Sequence, residues 1–368
     1  MLRAAFLFAV TFLLATNPAT AAPAWTGGDD LPTSPLACDA TPAKASAKPY
    51  DGGSPTNPPG RKGKKINVVD VPKLIGIGYF NATSKGIADG AKELGNVSAK
   101  TDGPTKANID EQITFIDNYI TQGVDGILFA ANDPVAISPV LKKALSKGIL
   151  VVGYDANSTP EARQWFVNQA QFNGIAKSLM DSMAKEIGES GSFAIVTSTF
   201  TTPNQARWIA EMAAYAAKCH PKMKWLETVE AQEDNVLSFN QATTLINKHG
   251  GDLKGLFGMT SVATPAAAEA VTQAKKCGQV AVIGLATPNA MKPYVNKDCV
   301  KSVVLWNPVD LGYAATYVLR AVADGTLKPG ATSVKAGKLG DLQVINGSEI
   351  LLGPPFVFTK SNINGFDF

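Results

Sequence analysis

Catalytic side chains are scarce in this 368-residue chain. It has two histidines, His220 and His249, and four cysteines, Cys38, Cys219, Cys277 and Cys299, with no Cys-x-x-Cys pair. A zinc site therefore lacks ligands at workable spacing. No G-x-S-x-G, H-E-x-x-H or G-x-x-x-x-G-K-[ST] motif occurs. Gly76-Ile77-Gly78 is not followed by the third glycine that a dinucleotide loop needs. Little general acid–base chemistry is possible, and neither enzymatic activity nor a cofactor is expected. Charged residues make up only 18% of the chain and the formal net charge is +3. That balance excludes an electrostatically driven nucleic-acid partner. After the N-terminus, no run is long and apolar enough to span a bilayer as a helix.

The N-terminus itself is organised. Arg3 precedes an apolar run from Ala4 to Ala15, and small residues follow, ending Ala19-Thr20-Ala21. This is the order of a secretory signal peptide over residues 1–21. The run is about 12 residues, short of the roughly 20 that a membrane anchor requires. Export would carry the chain to an oxidising compartment, the periplasm, where disulfides form. Cys277 and Cys299 each just precede a strand-like run. If those strands are parallel neighbours, the two thiols meet at one end of the sheet and can bridge; otherwise they are free buried thiols. Residues 22–64 are rich in Pro, Gly, Ser, Thr and Ala without apolar periodicity, and read as an irregular arm. Its closing basic cluster, Arg61, Lys62, Lys64 and Lys65, reads as a solvated linker or as a docking patch for an anionic surface.

From Ile66 onward, short apolar runs alternate with amphipathic segments. The runs are Ile66–Val71, Gly126–Ala131, Ile149–Tyr154, Phe193–Thr197, Gly255–Gly258, Val280–Leu285 and Val300–Leu305. Their length and β-branched content fit buried parallel strands. Between them, Ile109, Ile113, Ile116 and Ile120 mark a helical stripe, and 134–147, 171–187, 204–218 and 265–276 read likewise. Strand–helix alternation of this kind builds α/β units with parallel sheets. The pattern runs twice, over roughly 66–168 and 190–305, and a length beyond one compact core supports two lobes. Past about 332, scattered apolar residues among Gly and Pro predict short strands.

Ligands of open parallel sheets bind beyond the carboxyl ends of the strands. The residues there are Lys73, followed by Tyr79 and Phe80; Asp155; Asn204 and Gln205; Met259 and Ser261; and Trp306 and Asn307. A carboxylate accepts from adjacent hydroxyls, Lys and Asn donate, and aromatic faces cover the C–H side of a ring. This inventory suits a small polyhydroxylated ligand. Asn204 and Gln205 also fit a helix N-terminus, and Trp306 and Asn307 lie where the chain recrosses between lobes, as hinge, pocket or both.

At these strand ends the chain resembles the periplasmic solute-binding proteins of sugar-type ABC transporters, in the ribose-binding-like class. It is most similar there to the group of autoinducer-2-binding and rhamnose-binding proteins. The resemblance covers residues 66–368. It rests on Val71-Pro72-Lys73-Leu74-Ile75-Gly76-Ile77-Gly78-Tyr79-Phe80, Thr101-Asp102-Gly103-Pro104-Thr105 and Asp155-Ala156-Asn157-Ser158-Thr159-Pro160-Glu161-Ala162-Arg163. It continues in Thr287-Pro288-Asn289-Ala290-Met291-Lys292-Pro293-Tyr294-Val295, Leu305-Trp306-Asn307-Pro308-Val309-Asp310-Leu311-Gly312-Tyr313 and the closing Phe366-Asp367-Phe368.

The resemblance implies a type I periplasmic binding fold of two doubly wound lobes with a hinge and a central cleft. Lobe 1 is expected over 65–168 with 307–340, and lobe 2 over 169–306 with 341–368, with crossings near 169, 306 and 340. It implies a monomer that hands a small sugar, deoxysugar or polyol to an ABC permease, or a receptor of the same fold that signals. Lys73 and Asp155 match ligand contacts of the autoinducer-2 pattern. Asn204 stands where that pattern has Asp, and Met259 and Ser261 stand where it has Pro and Ala.

Overall fold

A computed structural model describes residues 31, 33–39 and 48–368. The expected signal peptide, 1–21, lies outside the described residues, as does part of the arm.

The chain folds as β1 (Ile66–Val71), α1 (Gly78–Leu94), β2 (Val97–Thr101), α2 (Ile109–Gln122), β3 (Gly126–Phe129), α3 (Ser138–Ser146), β4 (Leu150–Tyr154) and β5 (Trp165–Asn168). A second series follows: α4 (Phe172–Ile187), β6 (Ser192–Thr197), α5 (Pro203–Cys219), β7 (Lys224–Glu230), α6 (Asn235–His249), β8 (Leu253–Gly258), α7 (Ala263–Gln273), β9 (Ala281–Gly284), α8 (Pro288–Asn296) and β10 (Ser302–Leu305). Then come α9 (Pro308–Ala323), β11 (Ser333–Lys335), β12 (Asp341–Ile345), β13 (Glu349–Leu351) and β14 (Phe356–Thr359).

In the first sheet the strand order is β2-β1-β3-β4-β5-β13-β12-β11, parallel from β2 through β13. In the second it is β7-β6-β8-β9, parallel throughout. A parallel bridge from Leu285 to Val304 sets β10 beside β9, and β14 pairs antiparallel with β10. Both lobes are therefore doubly wound with the same order, and each reverses its winding at its first strand. The central strands β3 and β4 are buried at every residue, which is why they read as continuous apolar runs.

Three strands lack such a run. β2 and β7 are edge strands with partly exposed faces, and β5 is the short buried stretch Trp165–Asn168. α1 and α9 pack unusually close. A Cβ on Gly86 would lie 1.8 Å from the Val309 carbonyl oxygen, and one on Gly312 would lie 2.0 Å from that of Thr83. Only glycine permits that approach. It locks α9, which follows a lobe 2 strand, onto lobe 1.

One expected boundary is corrected. The tail from 341 was assigned to lobe 2, with the third crossing near 340. Instead, β13 adds in parallel to the free edge of β5, and β12 and β11 continue that sheet. The crossing falls between Leu351 and Phe356, and only β14 and the residues after it join lobe 2. A half-buried strand edge must be paired or covered, and the tail covers this one.

The described part of the arm has no helix or strand. Residues 33–39 lie on lobe 2, where Asn173 donates to the Ser34 carbonyl, the Ser34 N–H donates to Glu211, and Lys177 donates to the Cys38 carbonyl. Residues 48–64 lie on lobe 1. Tyr50 stacks on Trp165 and donates to the Gln164 carbonyl, and Asp51, Ser348 and the buried Arg163 form a hydrogen-bonded chain. Arg61 is neither a solvated linker residue nor part of a surface patch. It is buried, donates to Asp125 and the Gly148 carbonyl, and its own carbonyl accepts from Arg320.

Two disulfides form, Cys38–Cys219 and Cys277–Cys299. The second is the candidate pair, brought together because the loops entering the neighbouring strands β9 and β10 start at the same end of the sheet. The first fastens the arm to α5. Among the described residues no helix is long and apolar enough to cross a membrane.

The two bridges close loops of very different length, with sequence separations of 181 and 22 residues. The chain-entropy model assigns them about 5 and about 3 kcal/mol respectively. Replacing Cys38 and Cys219 by Ser should therefore lower thermal stability more than replacing Cys277 and Cys299. Calorimetric unfolding of the two double variants reads the order, and equal losses would refute the arm's role as a long-range staple.

Candidate ligand-binding cleft

The carboxyl ends of the two sheets face each other. The switch points, between β1 and β3 in lobe 1 and between β6 and β8 in lobe 2, open into the same cleft. Gln112, fully buried on α2, fixes the first of these. Its amide donates to the carbonyls of Val71, Pro72 and Ala130, so the ends of β1 and β3 are held in register. Asn132 accepts none of that load but donates to the Lys73 carbonyl at 2.9 Å, fixing the loop that carries the lysine.

Asp155 follows β4 with a left-handed backbone, φ 59°, a conformation Asp tolerates better than most residues. Its carboxylate accepts from the Tyr79 hydroxyl at 2.9 Å and from the Asn204 amide at 3.3 Å, and lies 3.6 Å from the Lys73 ammonium. Lys73 in turn donates to the Asn204 carbonyl oxygen at 3.1 Å. Lys73 and Asp155 belong to lobe 1 and Asn204 to lobe 2, so this triangle spans the cleft. All three are buried. Burial pushes the Asp155 carboxyl above the ordinary carboxylate range, against the opposing pull of Lys73 and the bonds from Tyr79 and Asn204. Below it, Asp70 is fully buried and accepts from the Tyr154 hydroxyl. Burial raises its pKa to about 7 despite that bond.

The walls are aromatic. Trp306 donates to the Tyr79 hydroxyl at 2.8 Å, with the rings edge-to-face, and Trp208 packs against Trp306 with centroids 5.6 Å apart. Phe80 meets Tyr79 edge-to-face. The cavity among these side chains measures about 30 Å³. Its lining contains nine of the ten residues expected from the strand ends: Lys73, Tyr79, Phe80, Asp155, Asn204, Gln205, Met259, Ser261 and Trp306.

The tenth, Asn307, is not among them. Its side-chain Oδ1 accepts from the N–H groups of Val309 and Asp310, capping α9, and it borders a separate cavity. A helix start directly after the strand claimed its side chain for the cap. Gln205 is also committed to the protein: its oxygen accepts from Thr197 and from the Ser198 N–H. Ile77, Trp208, Glu233, Thr260, Leu285 and Leu305 also line the cavity. Glu233 follows β7, a strand that apolar runs do not reveal. Once β7 is recognised, the strand-end rule points to it.

Residues 68–327 match the sequence profile of the family described as periplasmic binding protein domain. The chain belongs to this family. The two-lobed architecture is that of a type I periplasmic binding protein. Among known relatives, it is 29% identical over 196 residues to the D-ribose/D-allose-binding protein of Pseudomonas aeruginosa, an alignment covering 51% of this chain and 60% of that relative. The fold superposes on a solute-binding protein of an ABC transporter from Clostridium phytofermentas, solved with bound L-rhamnose, with TM-score 0.78 and 29% identity over 82% of this chain and 98% of that one. A sugar ABC transporter structure from Actinomyces odontolyticus gives TM-score 0.67 and 30% identity, with the same coverage.

In this binding protein Lys73 is the cation beside the buried Asp155. Removing it by Lys73→Met leaves an ionised carboxylate buried, at a cost on the order of 3–5 kcal/mol. Water in an open cleft relieves that cost. Because the raised Asp155 carboxyl takes up a proton as pH falls, the penalty operates at high pH and fades on acidification. Small-angle scattering should show the variant more extended than the wild type at pH 8, with the difference shrinking at pH 5. A variant as compact as the wild type at pH 8 would remove Lys73 from the closure account.

Proposed function

We propose that this chain is an exported solute-binding protein that captures a small sugar, deoxysugar or polyol between its lobes and delivers it to an ABC permease. The observation that carries the reading is the interlobe triangle of Lys73, Asp155 and Asn204, set among Tyr79, Phe80 and Trp306 at the facing strand ends of a family of binding proteins. The triangle offers an ammonium, an amide and a carboxylate where hydroxyl groups would lie, and the aromatic rings offer apolar faces to C–H groups. The ligand displaces the direct Lys73–Asn204 and Asn204–Asp155 bonds and takes over their partners, so closing the lobes and holding the ligand become one event. Asp155 accepts from hydroxyls, Lys73 and Asn204 donate, and no bond of the ligand is broken. Met259 and Ser261 form part of the far wall. The signal-peptide pattern at 1–21 supports export to the periplasm, and on this reading the protein acts as a monomer.

The sugars bound by relatives support the ligand class: ribose and allose by name in one, L-rhamnose in a solved structure of another. Asn204 in place of an acidic residue favours a neutral sugar or polyol over an autoinducer-2-like furanosyl ligand, because one acceptor charge of that pattern is absent.

A thermal-shift screen of pentoses, aldohexoses, deoxyhexoses and polyols, followed by calorimetry, tests the reading. At least one compound should bind at micromolar strength. Asp155→Ala removes charge-assisted hydrogen bonds of about 1.5–3 kcal/mol each, so its affinity for that compound should fall roughly 100-fold. Full affinity in the variant would show that the ligand sits elsewhere.

A further inference from the structure

Three charged side chains line the inner cavity: Lys73, Asp155 and Glu233. Lys73 and Asp155 answer each other at 3.6 Å. Among the described residues Glu233 makes no direct ion pair; it shares the field of Lys73, and burial holds its carboxyl above the usual carboxylate range. Its carboxylate accepts from the Gln205 amide at 3.1 Å and is hydrogen-bonded by Thr260, both neutral groups of lobe 2. The closed chamber therefore holds two carboxylates against one ammonium.

Glu233 also stands at a threshold. It borders the inner cavity and an outer groove of about 1080 Å³ between the lobes, walled by Thr105 and Asn108 on one side and Asn235 and Ser261 on the other. Gln232 and Glu233 are consecutive non-glycine residues in the left-handed region, φ 52° and 55°.

We propose that Glu233 is a charge filter at the mouth of the cleft, admitting neutral polyhydroxylated ligands and rejecting sugars that carry a carboxylate or phosphate. This rests on the sugar-binding reading above and narrows it. A neutral ligand brings hydroxyl donors to an excess of acceptors. An anionic ligand adds a further negative charge beside the buried Asp155 and the half-buried Glu233, with Lys73 already engaged, and such a charge is strongly disfavoured.

The test uses the full mature chain as wild type, Glu233→Gln and Glu233→Asp. Calorimetric titrations compare D-ribose, L-rhamnose, D-galactose and D-glucose with D-galacturonate and D-glucuronate at pH 7.5. In the wild type, uronates should bind at least 100-fold more weakly than the best neutral sugar. Glu233→Gln keeps the hydrogen bond to Gln205 and removes the charge, and should narrow that ratio at least tenfold, chiefly by strengthening uronate binding. Glu233→Asp should retain the discrimination. Wild-type protein that binds a uronate as tightly as its neutral counterpart overturns the filter and leaves the sugar reading standing. A Glu233→Gln variant that weakens both classes equally also overturns it, because Glu233 then only props Gln205. If neither class binds the wild type, the sugar reading fails and the filter with it.

Discussion

Asp155 is a carboxylate that two lobes must share. It sits at the end of a parallel strand, buried, with a left-handed backbone, and its partners come from three places: Lys73 after β1, Tyr79 on α1, and Asn204 across the cleft on α5. A lone buried charge is expensive, so the site works only when these partners are in place. Gln112 pins the strand ends that position Lys73, Trp306 holds the Tyr79 hydroxyl, and the cap made by Asn307 sets the start of α9 next to Trp306. Only Asn204 among these partners comes from the opposite lobe.

The frame around that event is more constrained than two lobes on three crossings. α9 is locked to α1 by backbone contact across Gly86 and Gly312. The arm adds a further link, with residues 33–39 fastened to α4 and α5 through Cys38–Cys219 and residues 48–64 fixed to the outer end of lobe 1 through Tyr50, Asp51 and Arg61.

Much of this could be read along the chain. Buried parallel strands must be apolar on both faces, so β1, β3, β4, β6, β8, β9 and β10 announced themselves as continuous runs, and the loops after them gave Lys73, Asp155, Asn204, Met259 and Trp306. The same rule failed where its physical premise fails. β2 and β7 lie at sheet edges and carry Lys, Glu and Ser, so they read as loops, and Glu233 was missed with β7. Asn307 shows the opposite error: the strand-end rule selected it, but a helix beginning at Pro308 needed its side chain for a cap.

Local chemistry along the chain determined the exported N-terminus pattern, the repeated strand–helix logic and the polar inventory of the cleft, because each depends on residues close in sequence. Tertiary structure alone decided the rest. The pairing of Cys38 with Cys219, the docking of the tail on β5 rather than on lobe 2, the burial of Arg61 and the placement of Glu233 between chamber and groove all join residues far apart in the chain. Such contacts are settled by which edges and charges remain unsatisfied after the lobes form, and no periodicity records that.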